Sequence, residues 1–404
     1  MSAKRGDGRI TVAEVSNSRQ AWGAEFAFMA LAEPLADRGI DLVLASPPGG
    51  DLEEQWTTMG LEHRPLEIPD RQGIRSADGE SGPGLGQMVR ETGASLRSVR
   101  AIAAMARGVD IVNSSSLWTH FDCALAGRLA RKPVVLDMHD IVRPGTGRKV
   151  LTAAVRLSSC AIAVSHAVAD CVGPAGAPHL RIMVPAVDLE RFSPGPADPE
   201  MRRRLTSAPE DPLVGIVGRI DPEKGIDLLV RAMAGLEGEA ARTHVVVVGS
   251  PGFDSGSYLE RLKADAGRLL GDRARFAGRI EDVPAVLRSL DVLVNASVAE
   301  PFGLGVLEAQ ATGVAVVATR SGGVTDFLAD GDNALLVPCG DPEAMTAAID
   351  RVITEPGLAA AMGARGREVA VVGHGVDLFS DGLAELYREL AGRTASPVTA
   401  GGGR

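Results

Sequence analysis

Aromatic side chains are scarce in this chain: Phe, Trp and Tyr together make up 3% of its 404 residues. A core of this size must be built from Ala, Val, Leu and Ile, which suits parallel sheets covered on both faces by helices. Cysteine is also rare. Cys123, Cys160, Cys171 and Cys339 are scattered, with no C-x-x-C pair. That argues against disulfide staples and a cysteine zinc site, and for reduced thiols. Basic charge is in deficit, with a formal net charge of −10. General nucleic-acid binding, which needs a basic surface to displace counterions, is disfavoured. The longest apolar runs are strand-length, too short to span a bilayer, and no signal peptide is apparent. The expectation is a cytoplasmic protein.

What is present has the profile of a globular protein, with 45% hydrophobic and 23% charged residues. The length exceeds one ordinary core and points to two domains. Residues 10–15, 41–46, 111–114, 134–138, 161–165 and 181–184 read as strands, and 23–38 as a helix. Strands alternating with helices imply right-handed βαβ crossovers and a parallel sheet. Residues 68–86, rich in Gly, Ser, Asp and Arg, read as a long loop. Proline and charge break the pattern over 188–212. The rhythm then restarts at 213–217, 243–248, 274–276, 291–294, 314–318 and 334–337. The expected architecture is α/β, with two Rossmann-like, doubly wound parallel-sheet domains facing a cleft. Their spans are 1–190 and 191–375, with a helix over 376–391 packing back on the first and a disordered tail over 392–404.

Ligands of open α/β sheets bind outside the carboxyl ends of the strands, so strand-ending polar and glycine residues are the candidates. The richest segment is 294–319, V-N-A-S-V-A-E-P-F-G-L-G-V-L-E-A-Q-A-T-G-V-A-V-V-A-T. A strand ends near Asn295, a loop holds Ser297 and Glu300, and a helix starts near Gly303 with Glu308 inside it. The backbone N–H groups of Phe302, Gly303 and Leu304 at that helix start would favour an anion. The same stretch is nearly G-x-G-x-x-G. Glu308 replaces the third glycine, and no acid ends the following strand, so the dinucleotide reading is weak. In V-G-I-V-G-R-I-D-P-E-K-G (214–225), Gly218 and Arg219 close a strand and Lys224 follows. Two cations there suit a diphosphate; solvated surface cations are the competing account.

These residues resemble the retaining glycosyltransferases of family 4, which have the GT-B fold. The E-x7-E element Glu300…Glu308 with its E-P-F-G-L start is the most specific match. G-R-I-D-P-E-K-G-I-D-L-L (218–229), G-G-V (322–324) and D-G-D-N-A-L-L-V (330–337) add to it. In the first half, W-G-A-E (22–25), M-H-D (138–140), A-V-S (163–165) and V-P-A-V-D-L-E-R-F-S-P (184–194) fall in family order. Trp22 replaces a common glycine, and Ala186 stands where Asn-Gly is usual. The resemblance covers about residues 10 to 390.

It implies that Glu308 binds the nucleotide ribose, Glu300 the transferred sugar, and Arg219 and Lys224 the diphosphate in place of a metal. Gly303, Leu304 and Gly23 would offer backbone near sugar or phosphate, His139 would lie near the sugar's far hydroxyl, and Ile280 beside the base. No cofactor and no metal are expected. The donor would be a nucleotide-sugar, UDP-linked on family frequency, with GDP or ADP open. The acceptor would be a small molecule, a lipid or a glycan, and the reaction a retaining hexosyl transfer. A nucleotide-sugar 2-epimerase, a hydrolase using Glu300 and Glu308 as its carboxylate pair, and a catalytically silent binding protein are the alternatives.

Several features have plainer readings. Asp330-Gly-Asp332 resembles a metal-binding D-x-D but falls where a turn is expected. His120, His166 and His374 lack metal-ligand spacing. Arg90, Arg97, Arg100 and Arg107 keep near one face of a helix over 85–107, either as a solvated face or as a site for an anionic acceptor or for peripheral contact with membrane headgroups.

Overall fold

A computed structural model describes residues 8–21, 23–68, 85–252 and 255–392. The chain divides into two compact units, one from the N-terminal residues through Pro185 together with the segment from Val376 onward, the other Ala186–Gly375. Among the described residues no helix is long and apolar enough to cross a membrane. Trp22, most of the 68–86 loop and residues 393–404 of the tail lie outside the described residues.

The first unit holds seven parallel strands: β1 Ile10–Val15, β2 Ile40–Ser46, β3 Glu62–Pro65, β4 Ile111–Ser114, β5 Val134–Met138, β6 Cys160–Ala163 and β7 Leu180–Ile182. Their order is β3-β2-β1-β4-β5-β6-β7. The strand order reverses between β1 and β4, and that is where an open sheet leaves a crevice at its carboxyl edge. One face is packed by Ile10, Val12, Ile111, Val135 and Ile162 against Leu383, Ala384, Leu386 and Tyr387 of the helix Val376–Leu390. Arg38 anchors that helix through Asp377 at 3.0 Å and Asp381 at 2.6 Å.

Two expectations need correction here. The single helix over 23–38 is two, Gly23–Met29 and Ala32–Asp37. Pro34 has no N–H for the carbonyl four residues back, and its ring crowds that carbonyl, so the helix stops and restarts with Pro34 in its first turn. The strand β3, Glu-His-Arg-Pro, is an addition: it sits at the sheet edge with no fully buried residue, where polar residues and proline are tolerated.

The second unit holds six parallel strands: β8 Leu213–Val217, β9 His244–Val248, β10 Ala274–Gly278, β11 Val292–Asn295, β12 Ala315–Thr319 and β13 Leu335–Val337. Their order is β10-β9-β8-β11-β12-β13, with the reversal between β8 and β11. Every residue of β9 and of β12 is buried, as expected of parallel strands covered on both sides. Asp330–Asp332 lies in a turn, where Asp330 pairs with Arg320 and Asp332 with Arg365. The four cysteines are free, and only Cys339 is exposed.

Candidate functional site

The carboxyl edge at the second unit's reversal point gathers Lys224 and Glu300. Lys224 lies in the turn after β8, which is closed by Gly225 at φ +61°. A side chain on Gly225 would overlap the Ala296 carbonyl oxygen, so glycine is what lets this turn press against the end of β11. The Lys224 ammonium then stands 2.8 Å from Glu300 Oε2. Ser297 Oγ donates to the same oxygen at 2.8 Å, and Asn295 Nδ2 at 3.1 Å. The loop is pinned by Gly323 N–H donating to the Glu300 carbonyl at 2.8 Å and by Thr319 Oγ1 donating to the Ser297 carbonyl at 2.6 Å.

Glu300 is 6% exposed. Burial works against its ionisation, but Lys224, Ser297 and Asn295 outweigh burial and hold the carboxyl below its ordinary range. All three donors converge on Oε2. Oε1 receives none of them and remains free to accept a ligand hydroxyl. Lys224 keeps two of its three N–H donors beyond this ion pair.

Arg219 directly follows Gly218 at the end of β8. Its guanidinium is half exposed, 3.6 Å from Asp221, and does not touch Glu300. The helix Leu304–Thr312 starts from Gly303 at φ +99°, where a Cβ would press on Val324. Gly303 therefore packs tightly while the first N–H groups of the helix stay unused by it. Phe302 is buried before it, with its ring centroid 4.9 Å from Phe327 and 6.0 Å from His374. His374 belongs to this aromatic packing. Glu308 is half-buried on the same helix. Burial pushes its carboxyl up to about 7, with Arg191 pulling the other way. Ile280 is buried just beyond β10.

The remaining candidates belong to the first unit. Gly23 opens the helix Gly23–Met29. His139 follows β5, with Nε2 3.1 Å from Asp137 and a side chain 30% exposed. Burial lowers its pKa, but Asp137, Asp140 and Glu14 together outweigh that and raise it to about 9. His139 is therefore an imidazolium at neutral pH, donating Nε2–H to Asp137 and keeping Nδ1–H as a second donor. His120 is buried, hydrogen-bonded to Ser114 at 2.9 Å, and lowered to about 4 by burial, so it stays neutral. His166 stands at the start of the short helix His166–Ala169.

Sequence reasoning missed Asp137, Asp221 and Arg191. Asp137 was the most accessible: two residues before His139, it shares a sheet face by the period of two.

Comparison with known proteins places these observations. Residues 22–191 match the family model described as Glycosyltransferase Family 4, and residues 197–369 the model described as Glycosyl transferases group 1. A lipopolysaccharide core biosynthesis mannosyltransferase, LpcC, of Rhizobium leguminosarum bv. viciae is 34% identical over 52% of this chain and 60% of its own length. A D-inositol 3-phosphate glycosyltransferase of Acidothermus cellulolyticus is 31% identical over 68% of this chain and 66% of its own. The chain thus spans less than two thirds of the length of each of these relatives. Among solved structures, Anabaena HepE in complex with UDP-glucose superposes with a TM-score of 0.79 at 22% identity, covering 94% of this chain and 100% of that one. WaaG, a glycosyltransferase of lipopolysaccharide biosynthesis, gives 0.67 at 15%, covering 93% and 99%. At such identities these two show the fold, which is GT-B. With both halves matched in order by glycosyltransferase models and the two parallel sheets of that fold in place, the chain belongs to glycosyltransferase family 4.

Proposed function

We propose that this chain is a retaining glycosyltransferase that moves a hexose from a UDP-sugar to an acceptor hydroxyl without a metal ion. The observation that carries this reading is the asymmetry of Glu300. Three donors hold Oε2 as an anion, and Oε1 is left to accept a sugar hydroxyl. Arg219 and the unused donors of Lys224 receive the diphosphate, aided by the first N–H groups of the helix Leu304–Thr312. Glu308, as carboxylate, accepts the ribose hydroxyls.

The difficult step is departure of a nucleoside diphosphate from an oxocarbenium-like carbon. Negative charge grows on the leaving phosphate, so cations fixed beforehand stabilise the transition state more than the ground state. The same cations do the work a divalent metal would do. In the first unit, the His139 imidazolium offers a hydrogen bond to a sugar hydroxyl. Retention is assigned to attack on the same face, with the leaving phosphate accepting the acceptor's proton.

The choice of UDP is supported by the likeness to HepE, solved with UDP-glucose. A GDP-mannose-dependent mannosyltransferase of Mycolicibacterium smegmatis, 34% identical over 50% of this chain, makes GDP the competing nucleotide. A thermal-shift screen against UDP, GDP, ADP and their sugar conjugates, with and without EDTA, separates them, because a ligand of the folded state raises the melting point. The expected result is a shift with UDP-sugars that survives EDTA and disappears in Arg219→Ala. A shift confined to GDP-sugars would reassign the donor. One that needs metal would overturn the role given to Arg219 and Lys224.

A further inference from the structure

We infer that Glu14 and Asn113 form a cyclic acid–amide pair across β1 and β4, with Glu14 held as the neutral carboxylic acid, and that this pair is a positioning element for His139. The register places the two residues directly opposite each other, at the reversal point of the first sheet. Asn113 Nδ2 donates to Glu14 Oε2 at 2.5 Å. The other half of each group is unsatisfied: Glu14 Oε1 and Asn113 Oδ1 are both buried without a hydrogen-bond partner among the described residues. Glu14 is 1% exposed and Asn113 2%.

Two orphaned acceptors on directly paired side chains have one economical explanation. A carboxylate offers only acceptors and leaves both atoms unpaired. A carboxylic acid carries a proton on Oε1 that Oδ1 can accept, and both orphans are satisfied by one hydrogen bond. Flipping the amide does not help, because it sets Oδ1 against a carboxylate oxygen.

The surroundings point the same way. From β5 and its end come Asp137 and His139, from beyond β4 comes Ser115, from the helix His120–Ala130 comes Cys123, and from the helix Val376–Leu390 comes Tyr387. Of these only His139 is a cation, and it already has Asp137 at 3.1 Å. Burial pushes the Glu14 carboxyl up to about 8. The hydrogen bond from Asn113 lowers it, as does the Ser115 hydroxyl, which stands near the carboxyl without bonding Oε1; Asp137 raises it, and His139 lowers it again without cancelling burial. A neutral Glu14 withdraws the smallest of the three carboxylate influences that raise His139, leaving Asp137 and Asp140 to hold the imidazolium, and the hydrogen bond from Nε2 to Asp137 fixes the ring. A third anion at Glu14 would compete for the ring. The catalytic consequence rests on the proposed contact of His139 with the donor sugar, but the proton on Glu14 does not.

The test uses the full chain and Glu14→Gln, which can rebuild the same ring as an amide–amide pair and is expected to fold. Three readouts apply. With Glu308, the other glutamate that burial raises, replaced by Gln in both proteins, the infrared carbonyl stretch of a protonated carboxylic acid should be present at pH 6 where Glu14 is retained, absent from E14Q, and lost as pH rises past about 8. The His139 imidazole, followed by NMR, should titrate alike in the two proteins below about pH 7 and diverge above, where the wild-type acid ionises. Wild type should also lose stability relative to E14Q as pH rises from about 5 to 8, because across that window the native state holds a proton that the unfolded state has already lost. An E14Q protein whose His139 titrates differently already at pH 6, or a wild type without the carbonyl band, would overturn the inference. Should E14Q fail to fold, the band in Glu308→Gln carrying isotope-labelled glutamate, titrated alone, decides the matter. None of these readouts requires sugar transfer, so failure of the proposed activity leaves them intact.

Discussion

Each unit buries a carboxyl group at the carboxyl edge of its sheet, and the two are handled in opposite ways. Glu300, after β11, is surrounded by an ammonium, a hydroxyl and an amide that all point at one oxygen. Glu14, near the end of β1, faces one amide that can give as well as take. An acid removed from water must be either neutralised by donors or kept protonated. The second unit takes the first course and gains a fixed pair of charges, which suits a diphosphate and a sugar. The first takes the second course and gains an uncharged floor beside the His139–Asp137 pair. The units share a strand order around their reversal points, but their buried acids differ because Lys224, brought in by the turn that Gly225 permits, joins Ser297 and Asn295 on Glu300 while Glu14 meets an amide.

Removing that lysine should break the contrast most strongly. Lys224→Ala leaves Glu300 buried without its cation, which typically costs about 3–5 kcal/mol. Its carboxyl should lose the depression that Lys224 supplies. Transfer should fall on the order of 100-fold or more, the usual loss when one preorganised donor to a transition-state charge is deleted. The double variant Lys224→Met with Glu300→Gln separates the two effects. It contains no buried charge and should recover most of the stability while remaining inactive. Urea unfolding and initial rates on the same preparations check both. A Lys224→Ala protein as stable as wild type would mean that the pair does not hold the loop.

The glycines test the backbone side of the comparison. Gly225→Ala forces a Cβ into the Ala296 carbonyl at a positive φ, so a loss of at least about 2 kcal/mol is expected. Gly23→Ala meets nothing within 4 Å and carries no positive φ, and its stability should stay within about 0.5 kcal/mol of wild type. Thermal unfolding of the two variants side by side reads the difference. Equal losses would show that the turn at Gly225 is not held as tightly as its contact implies.

How much of this was legible beforehand follows the same physics. The rhythm of strands in both halves was readable because parallel strands covered on two faces leave apolar runs such as His244–Val248. The edge strand Glu62–Pro65 carries no such signal, and the break near Pro34 was hidden by an otherwise continuous helical pattern. In the site, Lys224 and Glu300 each stood out locally, but their pairing joins residues 76 positions apart and is a property of the folded sheet. Glu14 and Asn113 are 99 positions apart, and each read as an ordinary strand residue. Single loops advertise their chemistry; partners across strands do not.

Glu308 lies between the two regimes and gives the smallest expected effect. It is pushed up to about 7 by burial, with Arg191 as its opposing influence, and among the described residues it has neither a lysine at contact distance nor an amide opposite. Its unfolded value is the ordinary one, so the native state holds a proton that the unfolded state lacks between about pH 4.5 and 7. The contribution of this group to stability is therefore present below that window, declines as pH rises through it, and is flat above. Glu308→Gln should flatten the slope. Binding of the nucleotide should run the other way. A ribose hydroxyl donates to a carboxylate more strongly than to an acid, so affinity for the nucleotide should rise by up to about tenfold between pH 6 and 8. Glu308→Gln should abolish that rise. Calorimetric titration of nucleotide at pH 6, 7 and 8 measures it, and the same series on Glu300→Gln supplies the contrast, because removing an acid that is already ionised leaves the Glu308 dependence in place. If affinity were flat across this range in wild type, the Glu308 carboxyl would be either ionised throughout or away from the ribose, and the middle case between paired and protonated acids would disappear.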